Sequence, residues 1–204
     1  MRRYARWVWR TSIEYEQPFV PALDEPLVLG SMQLNVMLPM AIYSTVSAHR
    51  YQILVVEDLR AVMPIDMPLF VRISGSDGLE DTNLAERSWT TEDAVRLAPI
   101  LTQLGVDVID VSYGGSHASQ KKLQGDANQA QFAHAIKKEV GDGVAVATVG
   151  NITTAAIAQA QIEQGLDIAV VGRQFLKDPN LVANWAKDLG VEIAQAHQLS
   201  WMIK

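Results

Sequence analysis

The sequence predicts an α/β fold built around a parallel sheet, and three observations support that prediction. From about residue 50, short apolar segments alternate with longer amphipathic segments four times in succession. The short segments are apolar at nearly every position, which is typical of strands that helices cover on both faces. The chain has 204 residues, fewer than the roughly 250 of a complete eight-stranded β/α barrel. The pattern fits a doubly wound sheet or half of a β/α barrel, and periodicity alone does not separate the two.

The first half of the pattern reads helix, strand, helix, strand. The first helix ends at Pro64, because proline cannot continue a helix interior. The second helix begins at Thr90, a good N-cap with acidic residues in the next turn, and closes at Gly105. The two strands are runs of branched apolar residues. These elements are predicted over residues 51–63, 68–74, 90–104 and 106–112.

The second half of the pattern reads helix, strand, helix, strand, helix. Gly165 and Gly190 follow the last two helical segments, where a glycine favours a helix C-terminus. Both strands are again apolar throughout, so we expect them inside the same parallel sheet. These elements are predicted over residues 128–140, 144–149, 153–164, 167–171 and 180–189.

Composition excludes several classes of protein. Hydrophobic residues make up 49% of the chain and charged residues 20%, which indicates a globular core and not a disordered chain. The absence of cysteine excludes a disulfide scaffold, thiolate metal sites and a cysteine nucleophile, and it fits a cytoplasmic protein. The net charge of −6 argues against a general nucleic-acid binder. The four histidines lack the spacing of metal ligands, so we predict no metal site.

The N-terminal part of the chain is less regular. Residues 1–25 are interpreted as an extension; their arginines resemble a transit peptide, but early acidic residues and scarce serine oppose that interpretation. Residues 26–48 carry no charge and are long enough to span a bilayer. Their prolines, amides and hydroxyl groups would be costly in hydrocarbon. A buried strand with flanking loops is therefore the better interpretation, and we expect no membrane association.

Candidate binding residues follow the ends of the predicted strands, where ligands bind in both architectures. Gly150 and Asn151 follow the third strand, and Gly172 and Arg173 follow the fourth. Glycine permits a ligand to approach the backbone, helix N-termini attract anions, and arginine suits phosphate. Paired loops after neighbouring strands of a barrel often bind phosphate. The alternative is that both glycines only serve tight turns.

Arg72 lies inside an apolar strand, where an unpaired charge is costly. One interpretation is a buried ion pair with a carboxylate of a neighbouring strand, such as Asp110. The other is a cation at the end of the strand that faces an electron-rich ligand. His117, in the loop after the second strand, is a weaker candidate for substrate contact.

Four segments carry a resemblance to a known family. They are MPLFVRISGSD, SWTTEDAVRLAPILTQLGVDVIDVSYGG, VATVGNI and DIAVVGRQFLKDPNL. In this order and spacing they resemble the C-terminal half of the old yellow enzymes, FMN-dependent NAD(P)H:flavin oxidoreductases that act as ene-reductases. A further segment, PLVLGSMQLNVMLPMAIYS, is similar to the family's opening segment, although it is shorter and lacks the arginine of an Asn-Arg pair.

The resemblance implies a β/α barrel with FMN at its C-terminal mouth. It assigns residues 26–204 to an incomplete FMN-binding barrel, which is a partial TIM (β/α)8 barrel made of the family's first strand and strands 5–8. The junction between the two parts lies near residues 48–49. The implied reaction passes a hydride from NAD(P)H through FMN to an activated alkene, a small-molecule substrate.

The resemblance also implies roles for individual residues. Tyr43 would border the substrate, and Arg72 would face the pyrimidine side of the flavin, where positive charge stabilises the reduced form. Gly150, Gly172 and Arg173 would hold the FMN phosphate. The predicted cofactor-binding residues are Leu38, Pro39, Met40, Ala41, Arg72, Gly150, Asn151, Gly172 and Arg173. Many relatives carry cysteine or threonine where this chain has Ala41.

The middle of the family pattern is missing from this sequence. The residues that are missing together with strands two to four are a flavin-binding glutamine, the His-x-x-His or His-x-x-Asn pair that binds the substrate carbonyl, and a tyrosine proton donor. Three hypotheses remain open: an FMN-dependent oxidoreductase, an inactive fragment that retains only the phosphate-binding half, and another phosphate-binding β/α-barrel enzyme. An incomplete barrel exposes sheet edges, so a homo-oligomer is also considered.

Overall fold

The computed structural model describes residues 45–114 and 117–193, all within a compact unit that spans Met37–Lys204. Several predictions fall outside the described residues. They are the extension over residues 1–25 and the site residues Leu38, Pro39, Met40, Ala41 and Tyr43.

Four strands form one parallel sheet in the described residues. They are β1 (Phe70–Ser74), β2 (Val108–Ser112), β3 (Ala145–Val149) and β4 (Ile168–Val170). Their order in the sheet is β1-β2-β3-β4, which is the same as their order in the chain. A doubly wound sheet reverses its order at a switch point, whereas a β/α barrel adds each strand on the same side. The α/β prediction is confirmed, and the sequential order matches part of a barrel.

Six α-helices accompany the strands in the described part of the chain. They are α1 (Thr45–Val62), α2 (Thr91–Gln103), α3 (Ala130–Val140), α4 (Ala155–Glu163), α5 (Arg173–Lys177) and α6 (Leu181–Leu189). The start of α2 is the one predicted from the sequence: the Thr90 side chain accepts a hydrogen bond from the Asp93 amide, and the Asp93 carboxylate accepts one from Thr90. This reciprocal capping box satisfies two amides that a helix start leaves without partners.

Two helices differ from the prediction. Helix α1 begins at Thr45, six residues before the predicted start, and so it contains the predicted junction at residues 48–49. The prediction was short because the segment before residue 51 is rich in hydroxyl and branched residues, which are weak helix formers. Helix α5 was not predicted, since five residues are too few to show a helical period.

The core lies between the sheet and the helices. Alternate strand residues point toward the helices, as the twofold period of a strand requires. Helix α1 contributes Val56, which is 2% exposed, and so belongs to the same core. Members of this cluster are Val56, Ile73, Leu97, Leu101, Ile109, Val111, Ile136 and Val146. The other strand residues, including Arg72 and Asp110, therefore line the opposite face of the sheet.

No helix in the described ranges is both long enough and apolar enough to cross a membrane. The uncharged segment over residues 26–48 lies outside those ranges except for its last residues, which belong to α1.

Candidate functional site

The parallel register brings the segments that follow the strands to one end of the sheet, the edge formed by the C-terminal ends of the strands. Ser74 pairs with Ser112 at the ends of β1 and β2, and Val149 pairs with Val170 at the ends of β3 and β4. The segments that follow these strands, including Gly150–Asn151 and Gly172–Arg173, therefore leave the sheet at the same edge. The sequence prediction that these residues share one end of the fold agrees with this register.

Arg72 forms an ion pair across the first two strands. It lies opposite Asp110 in the register, its Nε donates to Asp110 Oδ2 at 2.7 Å, and its Nη2 lies 2.5 Å from the same oxygen. The ion pair that the sequence suggested is present. It does not occupy the whole guanidinium, because the structure gives Nη1 no hydrogen bond to a described residue. The Arg72 side chain remains 27% exposed.

Asp110 is more deeply buried than its partner. Its side chain is 14% exposed, and its second oxygen, Oδ1, is buried without a hydrogen bond to any described residue. Burial raises the pKa of the Asp110 carboxyl, and the charge and hydrogen bond of Arg72 only partly offset that rise. Desolvation therefore offsets part of the electrostatic stabilisation that the pair provides.

Gly150 and Asn151 occupy a turn that the chain packs tightly. Gly150 has φ of +112°, and a Cβ added there would lie 2.6 Å from the Gln129 side chain. Asn151 has φ of +51°, and its Nδ2 donates to the carbonyl of Gly125 at 2.7 Å. Both residues thus join the loop after β3 to the loop after β2. The tight-turn alternative considered for Gly150 accounts for its conformation.

Gly172 and Arg173 are free of such packing. A Cβ added at Gly172 would meet no described atom within 4 Å, and its φ of −114° suits any residue. Arg173 begins α5, is exposed, and makes no ion pair with a described residue. These two residues are therefore open to a ligand, and nothing in the described packing demands a glycine at position 172.

The two arginines belong to the two outer strands of the described sheet: Arg72 is the middle residue of β1, and Arg173 follows the end of β4. Two strands lie between β1 and β4. Parallel strands are about 4.8 Å apart, so three spacings separate the outer strands by roughly 14 Å. An elongated ligand with an anionic group near Arg173 would suit this arrangement.

Sequence reasoning missed a network that holds the loops after β1 and β2 together. The Tyr113 hydroxyl donates to the Lys121 carbonyl at 2.7 Å, and a Cβ at Gly78 would lie 2.0 Å from that hydroxyl oxygen. The Gln120 side chain donates to the Asp77 carbonyl at 2.7 Å. Burial raises the pKa of Tyr113, and the charge of Glu80 adds to that rise. Gly78 could have indicated this network in the sequence, since a glycine in a polar loop after a predicted strand suggests close packing of the backbone against another group.

Two histidines, His117 and His134, contact polar groups of nearby residues. His117 Nδ1 accepts the Ser119 amide at 3.1 Å, and His134 Nε2 lies 3.2 Å from Gln161 Oε1. Across residues 45–114 and 117–193, no group of three histidine, aspartate or glutamate side chains is placed to hold a metal ion.

Comparison with known proteins assigns the chain to a family. The sequence profile of the NADH:flavin oxidoreductase / NADH oxidase family matches residues 43–192. The chain belongs to that family. This assignment confirms the resemblance inferred from the four strand-end segments, and the matched range contains every described strand. The cofactor of these NADH:flavin oxidoreductases is FMN, and their co-substrate is NAD(P)H.

Several curated proteins are similar to this chain. An NADH:flavin oxidoreductase of Gibberella zeae is 38% identical over 156 residues, which cover 74% of this chain and 38% of that protein. An NADPH dehydrogenase of Bacillus subtilis is 32% identical over 149 residues, covering 71% and 40%. An NADPH dehydrogenase of Geobacillus thermodenitrificans is 34% identical over 148 residues, covering 71% and 40%. The chain thus spans about two fifths of the length of these relatives.

Proposed function

We propose that this chain binds FMN along the C-terminal edge of its sheet and takes part in hydride transfer from NAD(P)H to an activated alkene. The observation that carries the proposal is the placement of the exposed Arg173 after β4 and of the partly exposed Arg72 in β1 of the same sheet, in a member of a flavin-dependent family. The chemistry that bound FMN would supply is relay of a hydride from NAD(P)H to the β-carbon of the alkene, with a proton from solvent completing the reduction at the α-carbon.

The donor set fits the two ends of FMN. Arg173 and the unobstructed backbone at Gly172 would hold the phosphate, since a guanidinium and exposed amides both suit that anion. Arg72 would face the pyrimidine side of the flavin, where a cation stabilises the negative charge of the reduced ring. Gly150 would border the phosphate, and Asn151 would hold the adjoining loop through its bond to Gly125.

The proposed architecture is the second half of a β/α barrel. Strands β1 to β4 would correspond to strands 5–8 of the family, and residues 38–41 would provide the first strand and backbone contacts to the flavin. Tyr43 would border the substrate. A homo-oligomer would cover the edges of an incomplete sheet. The cytoplasmic location, which the lack of cysteine fits, also stays a prediction.

A second candidate is an FMN-binding chain that does not reduce alkenes. The observation that favours it is that these 204 residues contain no His-x-x-His or His-x-x-Asn pair to polarise a substrate carbonyl. Loss of electrophilic assistance of that kind lowers rates by orders of magnitude.

Titration with FMN and riboflavin tests the binding site. We expect the full-length chain to bind FMN more tightly than riboflavin, which lacks the phosphate. Arg173→Ala should weaken FMN binding about 10- to 100-fold, the scale of a charge-assisted hydrogen bond, while leaving riboflavin binding unchanged. Lys177→Ala is the matched control, since it removes an exposed cation of the same helix. Equal effects of the two substitutions, or no flavin binding, would contradict the proposed site.

Turnover separates the two candidates. NAD(P)H oxidation by the FMN-loaded chain is measured with and without an α,β-unsaturated ketone. Alkene-dependent oxidation supports the ene-reductase, whereas flavin binding without alkene reduction supports the second candidate.

A further inference from the structure

We propose that Asp110 is a positioning residue for Arg72, holding its guanidinium in one orientation and setting how strongly its charge stabilises reduced flavin. This inference rests on the proposed function, because it takes Arg72 as the cation that faces the flavin. It concerns a residue for which neither the sequence motifs nor the family resemblance implied a role at the cofactor.

The geometry of the pair fixes the guanidinium plane. Arginine has several rotatable bonds, and an unrestrained side chain would sample many orientations. Here Nε and Nη2 both reach Asp110 Oδ2, at 2.7 Å and 2.5 Å. These two nitrogens form one edge of a planar group. Because that edge faces Asp110, the Nη1 corner is directed elsewhere, and Nη1 is the donor without a described partner.

The position of Asp110 suits this task better than a structural one. The two residues are register partners on adjacent strands, two positions before the strand ends, on the sheet face opposite the helix-packed core. Asp110 Oδ1 is buried without a described partner, so the carboxylate is not placed to satisfy its own hydrogen-bonding capacity. An apolar residue would cost less in desolvation at this position, whereas a carboxylate both orients Arg72 and moderates its charge.

The charge of Asp110 determines in which direction the stability of the reduced flavin should change when Asp110 is replaced. The hydrogen bonds to Asp110 turn the Nε and Nη2 donors of Arg72 toward the carboxylate, so only part of the guanidinium is presented to the flavin. Asp110→Asn keeps the shape and an acceptor oxygen but removes the negative charge. The reduced flavin should therefore become more favourable, while Arg72 loses its charge-assisted hydrogen bonds.

The first measurement uses the full chain without flavin. Nitrogen-15 NMR of the arginine side chains should show an Arg72 Nε–H protected from solvent exchange. Asp110→Asn should accelerate that exchange about tenfold or more, because a neutral amide is a weaker acceptor than a carboxylate. The matched control is Asp107→Asn: Asp107 also pairs with an arginine, Arg60, but before the start of β2. It should leave the Arg72 signal unchanged.

The second measurement uses the same variants loaded with FMN. In equilibrium with a reference redox dye, the ratio of reduced to oxidised flavin should rise roughly three- to tenfold in Asp110→Asn, the scale of one neighbouring charge. Asp107→Asn should leave the ratio unchanged. In an Arg72→Ala background, Asp110→Asn should lose at least half of its effect, since coupled residues are not additive. Asp110→Glu, which keeps the charge, should restore a ratio near that of the wild type.

The outcomes separate this inference from the proposed function. If the wild-type chain binds no FMN, both are wrong. If it binds FMN and Arg72→Ala shifts the ratio, but Asp110→Asn behaves like Asp107→Asn, only the positioning role is wrong. An equal effect of Asp110→Asn with and without Arg72 also overturns it, because Asp110 would then act on the flavin directly. If Asp110→Asn does not fold, Asp110→Glu decides: a wild-type redox ratio supports the role, and a large shift contradicts it.

Discussion

Gly150 and Gly172 show how two glycines with the same sequence signal differ in the folded chain. Both follow a strand of the sheet, and both were predicted to contact a phosphate. Gly150 needs its small size, because a side chain would enter the space of Gln129, and its positive φ disfavours other residues. Gly172 has neither constraint within the described residues. A contact partner that is 21 positions away in sequence cannot be read from a local pattern.

Stability measurements distinguish the two glycines. Gly150→Ala should lower the free energy of unfolding by about 2–4 kcal/mol, since it combines overpacking with an unfavourable φ. Gly172→Ala should stay within about 0.5 kcal/mol of the wild type, as substitutions in open positions usually do. Urea denaturation of the two variants checks this, and equal losses would show that the packing at Gly150 is not as described.

Asp110 should also leave a signature in the pH dependence of stability. Burial raises its pKa in the folded chain above the ordinary value of 3.8, although Arg72 opposes the rise. Between the unfolded and folded pKa values the folded state therefore holds more protons, so stability falls as pH rises through that window. Asp110→Asn should remove this fall. Urea denaturation from pH 3 upward compares the two proteins; a stability difference that does not change across the acidic range would contradict the raised pKa.

At the scale of elements, the same pair of hydrogen bonds, between an aspartate before one strand and the backbone of a neighbouring segment, occurs twice. Asp107 precedes β2, and its Oδ2 accepts the Leu69 amide at 2.7 Å while its own amide donates to the Leu69 carbonyl at 3.0 Å. Asp167 precedes β4 and makes the same pair of bonds with Val146, at 2.7 Å and 3.1 Å. Each aspartate follows a helix-ending glycine and a buried aliphatic residue. Each also pairs with a basic residue of an α-helix, Arg60 or Lys137.

This repeated connection predicts two equivalent losses of stability. Asp107→Ala and Asp167→Ala should each lower the free energy of unfolding by about 1–3 kcal/mol, because each leaves a backbone amide, that of Leu69 or Val146, without its acceptor. Asp142→Ala is the control: it removes an exposed carboxylate 3.5 Å from Lys137, a contact of little value at the surface. If it costs as much as Asp167→Ala in thermal or urea denaturation, the charge near Lys137 matters and not the bond to the strand.

The elements themselves were largely visible in the sequence. All four strands were predicted because each is a short apolar run bounded by turn residues, and that signal is local. The capping box at Thr90 was visible for the same reason. The two aspartates that open β2 and β4 were not identified as connectors, since their acceptor role depends on which strand lies beside them. The pairing of Arg72 with Asp110 could be predicted because both charges interrupt apolar strands. The strand register and the buried Asp110 Oδ1 without a described partner could not be predicted from the sequence.

For the whole molecule, the described sheet has two inner strands and two outer ones. Strands β2 and β3 pair on both sides, whereas β1 and β4 pair on one side in the described residues. The family relationship supports a partial barrel, in which the proposed first strand over residues 38–41 would lie beside β4. The proposed architecture contains no strand beside β1, because it assigns the described strands to strands 5–8 of the family and residues 38–41 to the first. The two outer strands should therefore behave differently.

Hydrogen exchange measured by mass spectrometry tests this asymmetry. Amides of β2 and β3 should exchange most slowly, because they lie in the buried centre of the sheet. Amides of β4 should be protected to a similar degree, and those of β1 should exchange at least about tenfold faster. Leu38→Pro should accelerate exchange in β4 without changing β1, since proline cannot donate to a strand ladder. If β4 exchanges as fast as β1 and does not respond to Leu38→Pro, residues 38–41 do not complete the sheet, and the backbone contacts to flavin proposed for them are also wrong.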